Sequence, residues 1–199
     1  MNKRRYDSEQ AKKDIMASAI RLFSRLGYNQ TSVSDISRES GYSKGHIYYH
    51  FENKEKLFVL LAQQTMKDWY DKWALNEAKY SSAEEKLYAV ARHVLYNYQT
   101  PLLKAGQELG ASPDVSEESR QKLYGLAVTP MNTYRAVLQQ GVEQGEFKQG
   151  NIEEWTVLLG TWLGGLCQLT EGQELSNLEP LFKQAITIFL GAIWKQPAP

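Results

Sequence analysis

The segment Thr31–Leu57, TSVSDISRESGYSKGHIYYHFENKEKL, constrains this chain more than any other part of it. It reads as two short helices joined by a tight turn, with a third helix launched directly afterwards. Ser32 is placed to cap the first helix, and Asp35 in its first turn complements the helix dipole. Val33 and Ile36 give that helix an apolar edge, and Gly41 ends it as a residue free to take positive φ does. Ser43 starts the next helix. At about 100° per residue, Ile47, Phe51 and part of Tyr48 point one way, while Gly45, His46, Tyr49 and His50 point the other. Asn53 caps the third helix, which opens with Lys54 and Glu55. A helix of this length with donors on its outer face suits the major groove of DNA, which admits a helix and presents base edges to it.

The net charge of zero argues against a DNA binder only until the chain is divided. Residues 1–57 hold 11 Lys/Arg against 7 Asp/Glu, a balance of +4, and the remainder holds 12 against 16, a balance of −4. Such asymmetry fits a small nucleic-acid-binding module, residues 1–57, joined to a sensing and pairing module, residues 58–199. Lys3, Arg4 and Arg5 precede the first helix as either a phosphate-contacting arm or a solvated terminus. The single cysteine, Cys167, lies in an apolar helix, so no disulfide framework exists and a reducing cytoplasm is expected. No apolar run follows the basic start, so no secretory leader is expected, and no stretch approaches the roughly 20 apolar residues of a membrane span.

The rest of the chain also reads helical, with no alternating strand pattern. One helix runs from Lys54 to about Ala78. Ser81 and Ser82 with Glu84 and Glu85 form two overlapping capping boxes opening a helix to about Tyr98. A short helix spans Pro101 to Leu109, another Glu117 to about Val128, and after a break at Thr129-Pro130 a further one spans Met131 to Glu143. Asn151 caps a strongly apolar helix through Leu169, and a last one spans Leu178 to Trp194. Gly160 and Gly164, four apart, permit close helix approach. The last two helices carry more apolar residues than one buried stripe each can use.

From Ala11–Leu26 through Gly27-Tyr28, Thr31-Ser32, Gly41, Ser43-Lys44-Gly45, Tyr48, His50-Phe51 and Lys54-Glu55, the chain resembles the TetR family of one-component transcriptional regulators. The resemblance covers about the first 60 residues. It implies an all-α fold, with an N-terminal three-helix DNA-binding domain and a C-terminal helical domain for ligand binding and dimerisation. It also implies a dimer paired through the last two helices as a four-helix bundle; from the residues alone, that pair could instead be the monomer's core. The implied partners are a pseudo-palindromic double-stranded DNA operator, a small-molecule effector and a second copy of the chain, with no membrane and no cofactor.

The candidate DNA-contacting residues are Thr31, Ser32, Ser43, Lys44, Gly45, His46, Tyr48, Tyr49, His50 and Lys54. They offer hydroxyls, backbone N–H groups at helix starts, and cationic or phenolic groups for phosphates. His46 is the side chain best aimed at base edges, and Lys54 is expected to be a phosphate contact. SKGHIYYHFENKEKLF with KDWYDKW is similar to multidrug-binding repressors within the family. That likeness places Trp69 and Glu108 on drug-contacting positions; Tyr96, Tyr134 and Trp162 complete the candidate ligand set. Other acidic drug-binding positions fall on Thr65, Met66 and Gln140, so neutral or singly charged aromatic ligands are expected rather than dications. The three histidines fall in different elements and Cys167 has no adjacent His, so neither catalysis nor a metal site is expected. The competing reading is a helical small-molecule-binding or enzyme-like protein whose DNA-binding domain has lost its function.

Overall fold

The computed structural model describes residues 3–98, 100–170 and 172–194. Among these the fold is all-α: α1 Lys3–Gln30, α2 Val33–Ser40, α3 Lys44–Phe51, α4 Lys54–Glu77, α5 Ala83–Asn97, α6 Thr100–Ala111, α7 Glu117–Gly125, α8 Val128–Glu143, α9 Ile152–Cys167 and α10 Leu175–Ile193. An isolated bridge pairs Phe147 with Trp194. The backbone of α1 is helical from Lys3, so Lys3, Arg4 and Arg5 extend that helix rather than precede it. Their side chains lie outside the described residues.

The chain forms two compact units, Met1–Met66 with Pro101–Leu126, and Lys67–Thr100 with Ala127–Pro199. These units do not follow the division at residue 57 expected from sequence. The reason is packing: Leu102, Ala105 and Leu109 of α6, with Val115, join one buried cluster with Ile15, Phe23, Ile36, Ile47, Phe51 and Phe58. Phe58 meets Phe23 edge-on at 5.0 Å, and Tyr28 stacks on Phe23 at 5.7 Å. One long and two short helices alone bury little apolar surface, and α6 enlarges their core.

In the second unit, Leu87, Val90, Ala91 and Val94 of α5 are buried, as are Val137 and Leu138 of α8, Leu159 and Leu163 of α9, and Phe182, Ile186 and Phe189 of α10. A Cβ at Gly160 would lie 2.3 Å from Met131 Cε, the flexible end of a side chain on α8, whereas Gly164 faces open space. Of the two overlapping capping boxes, Ser82–Glu85 forms, with Ser82 Oγ accepting from Glu85 N at 3.1 Å. The break expected at Thr129-Pro130 falls instead near Leu126-Ala127, because Pro130 occupies the first turn of α8, where its missing N–H would have had no intrahelical partner. Likewise Gly110 continues α6, and α10 begins at Leu175, ahead of Pro180.

Candidate DNA-binding face and ligand region

The helix-turn-helix is built by local rules. Ser32 and Asp35 make a reciprocal capping box that starts α2, and Gly41 ends it at φ 76°. The Ser32 hydroxyl, donating to Asp35 at 2.5 Å, holds the Asp35 carboxyl below its ordinary range. Ser43 caps α3 by accepting from His46 N at 3.2 Å. Burial of Ile47 and Phe51 then fixes which side of α3 faces out. Ser43, Lys44, Gly45, His46, Tyr48 and Tyr49 are all exposed, Tyr49 at 80%. Lys44 makes no ion pair among the described residues, whereas Arg38 is paired with Asp35 and Arg21 with Glu39. One helix therefore exposes a cation, a bare backbone, an imidazole and two phenols, and Ser32 is exposed at the start of α2. That set can bond phosphates and reach base edges.

Two expected contacts are engaged elsewhere, and a third is half-buried. Thr31 is only 1% exposed, and its hydroxyl donates to Gly27 O at 2.7 Å, so it shapes the turn instead of meeting DNA. Lys54 Nζ donates to Tyr28 O at 3.0 Å and Thr31 O at 2.9 Å, and lies 4.0 Å from the centre of the Tyr28 ring. Burial pulls its ammonium below the ordinary lysine range, partly offset by Glu108. Two of its three donors close the turn before α2, so it is not a free phosphate-seeking cation. His50 is half-buried, and its Nε2 is enclosed without a partner among the described residues. Burial, then His46 and Lys12, lowers its pKa.

The five candidate ligand residues fall in both units, with Trp69, Tyr96, Tyr134 and Trp162 in the second. Glu108 lies in the first unit and accepts from Tyr28 N at 2.9 Å and Asn29 N at 3.1 Å, which commits its carboxylate to the backbone. Tyr96 is 40% exposed and donates to Glu179 at 2.6 Å. Trp162, with Trp155, Leu158 and Ile188, lines an open groove of about 590 Å³ between α9 and α10. Trp69 and Tyr134 remain inside the second unit, 2% and 4% exposed. Trp69 packs 4.8 Å from the ring of His93, whose Nε2 meets the Trp69 carbonyl at 2.9 Å. The Trp69 indole N–H is buried with no acceptor among the described residues. Burial also pushes Tyr134 far above the ordinary tyrosine value and the Cys167 thiol up to about 12, which leaves that thiol unreactive.

Sequence reasoning missed His93 as a structural group. Its pKa lies below the ordinary 6.5, chiefly through burial and further through Lys72, against the opposing bond to Trp69 O. Between the two values the unfolded chain binds more protons than the folded one, so stability rises with pH. It is fully present above pH 6.5 and lost as pH falls towards the folded value, and His50 acts in the same direction. Urea unfolding should therefore show a lower midpoint at pH 5.5 than at pH 7.5, with a smaller difference in His93→Gln. An equal acid loss in that variant would exclude His93 as a source.

An exposed apolar face includes part of the groove wall: Val157, Leu158, Leu169, Leu181 and Ile188 of the α9–α10 region are each at least 41% exposed. By contrast Leu163 of α9 and Phe189 of α10 are 0% and 5% exposed within the single chain. No helix among the described residues is long and apolar enough to cross a membrane.

Comparison with known proteins agrees with this geometry. Residues 65–195 match the family model of the QacR-like protein C-terminal region, and residues 15–61 match that of the tetR family of bacterial regulatory proteins. The HTH-type transcriptional regulator QacR of Staphylococcus aureus is 26% identical over 191 residues, spanning 92% of this chain and 98% of its own. The fatty acid metabolism regulator protein of Bacillus subtilis is 27% identical over 139 residues, 68% of this chain and 70% of its own. Among solved structures, a transcriptional regulator from Saccharomonospora viridis in complex with choline superposes with a TM-score of 0.79 at 19% identity, covering 94% of this chain and all of that one. FadR from Bacillus subtilis in complex with stearoyl-CoA superposes at 0.74 and 21% identity, covering 87% and 96%. At those identities the superpositions establish the fold. The two family models together establish more: this chain belongs to the TetR family of helix-turn-helix transcriptional regulators and is not an enzyme.

Proposed function

We propose that the chain acts in the cytoplasm as a dimeric repressor, released from its operator when an aromatic small molecule binds its second unit. The observation that carries the DNA half is α3, whose Lys44, Gly45, His46, Tyr48 and Tyr49 stand exposed on a helix anchored by Ile47 and Phe51. Ser32 and Ser43 supply capped helix starts beside them. In this reading residues 1–57 do the DNA work and the remainder senses and pairs, although α6 and α7 are structurally part of the first unit. Two α3 helices in a dimer must enter successive major grooves about 34–36 Å apart. The 24-residue helix α4 contributes residues to both units, and in this reading a change around Trp69 is passed along it towards the DNA-binding core. Ligand and DNA then oppose each other by linkage. The test is a fluorescence titration of a labelled operator duplex with wild type and Lys44→Ala; equal affinity in the two would overturn this assignment of the DNA face.

For the effector, Trp69 supports a ligand that is aromatic and carries a hydrogen-bond acceptor, since its indole N–H has no acceptor among the described residues. Glu108 is engaged with backbone, so a dication has no carboxylate there to meet it. The relatives named above have choline and stearoyl-CoA bound; this chain's buried polar groups, His93 and Tyr134, favour a neutral or singly charged ring system. Trp69→Phe keeps an aromatic face and removes the donor, so it should weaken such a ligand by about 5- to 10-fold, the worth of one hydrogen bond. A panel of neutral and monocationic dyes, read by tryptophan quenching in the wild type and by dye release of labelled DNA in both proteins, checks this. Unchanged release in Trp69→Phe across the whole panel would place the ligand elsewhere.

A further inference from the structure

The geometry points to Glu108 as a positioning residue for DNA binding: its carboxylate, carried on α6, holds the Gly27–Thr31 turn that sets the start of α2. That turn is gripped from two sides. From α6, Glu108 Oε2 accepts from Tyr28 N at 2.9 Å and Asn29 N at 3.1 Å. From α4, Lys54 Nζ donates to Tyr28 O at 3.0 Å and Thr31 O at 2.9 Å. Inside it, the Thr31 hydroxyl closes on Gly27 O at 2.7 Å. The residue that follows is Ser32, the α2 cap on the proposed DNA face.

Glycine at position 27 is required by this grip. Its φ is 79°, which L side chains rarely adopt, and a Cβ there would sit 2.6 Å from Glu108 Oε1, so the carboxylate would have to give way. The grip also explains an acid in a DNA-binding unit. Placed near a polyanion, a carboxylate opposes binding by charge alone. If Glu108 were merely a surface charge, neutralising it would leave DNA affinity unchanged or raise it. If it fixes the turn, neutralising it weakens binding, because one neutral amide oxygen replaces a carboxylate that accepts from two backbone N–H groups. The two readings differ in sign.

Given the DNA face proposed above, the test compares Glu108→Gln, Lys44→Ala and wild type on an operator duplex recovered by in vitro selection and on a random duplex, over a range of salt. Active fraction is fixed by stoichiometric titration and dimer mass by light scattering. Glu108→Gln should bind the operator about 10-fold or more weakly, as loss of a charge-assisted hydrogen bond implies. Random DNA should be affected less, and the slope of log affinity against log salt should stay as in wild type, because no phosphate contact is removed. Lys44→Ala should flatten that slope. Unchanged or tighter operator binding by Glu108→Gln, with Lys44→Ala impaired, overturns this role for Glu108 alone; no effect in either variant overturns the DNA face itself. Amide exchange in the wild type gives a readout independent of any variant: slow exchange at Tyr28 and Asn29 is expected, and fast exchange at both overturns the grip.

Discussion

Leu158→Glu combined with Ile188→Glu should give a folded monomer that no longer holds its operator. Both side chains are exposed in the single chain, at 59% and 53%, and both line the α9–α10 groove. In an isolated chain the two glutamates would be solvated, so the helical spectrum and unfolding midpoint should stay close to wild type. In a dimer packed through α9 and α10 they would be buried against apolar partners, which costs several kcal/mol per unpaired charge. Operator affinity should then fall by about 100-fold or more, since each recognition helix alone loses the linked second half-site. Leu163→Glu is the informative contrast: the side chain is fully buried in its own chain, so that variant should unfold rather than dissociate. Light scattering and circular dichroism separate the two results. An intact dimer for the double variant would place the seam on another surface.

Lys54→Ala should lower stability by about 1–3 kcal/mol, because the part-buried carbonyls of Tyr28 and Thr31 lose their donor. Its effect on DNA should be selective. With the turn before α2 loosened, operator binding is expected to fall more than binding to random DNA, while the salt slope stays nearly unchanged. This reverses the expectation from sequence, in which Lys54 contacts phosphate and its removal weakens all DNA alike and flattens the slope. Urea unfolding and salt-dependent titrations decide between them, and a uniform loss with a flatter slope would return Lys54 to the phosphate backbone.

What the sequence made legible is what local rules control. Ser32-Asp35, Gly41, Ser43 and Ser82-Glu85 each act within four residues, and each helix boundary that they mark is present in the fold. The outward side of α3 was likewise readable, since Ile47 and Phe51 sit at helical spacing. What could not be read depends on partners far along the chain. Glu108 meets Tyr28 and Asn29 across about 80 residues, and no spacing rule connects them. Thr31 and Lys54 look like DNA contacts by type and position, but a 27–31 turn with its own carbonyls to satisfy uses them first. In α9 and α10 the same limit applied to individual residues. An excess of apolar residues indicates more than one apolar face, yet only three-dimensional packing separates Leu163 and Phe189, buried within the chain, from Leu158 and Ile188, which are exposed. Pro130 misled for a further reason: proline breaks a helix interior but is tolerated in a first turn, and the sequence did not show where α8 began.

Selection of bound duplexes from a random library tests the central claim most directly, because it needs no knowledge of the natural operator. A dimer with one exposed α3 per subunit should enrich an inverted repeat whose half-sites are centred about one helical turn apart. Lys44→Ala should bind the enriched duplex more weakly than wild type does. Failure to enrich any sequence, or enrichment of a single half-site by a protein of monomeric mass, would contradict the account.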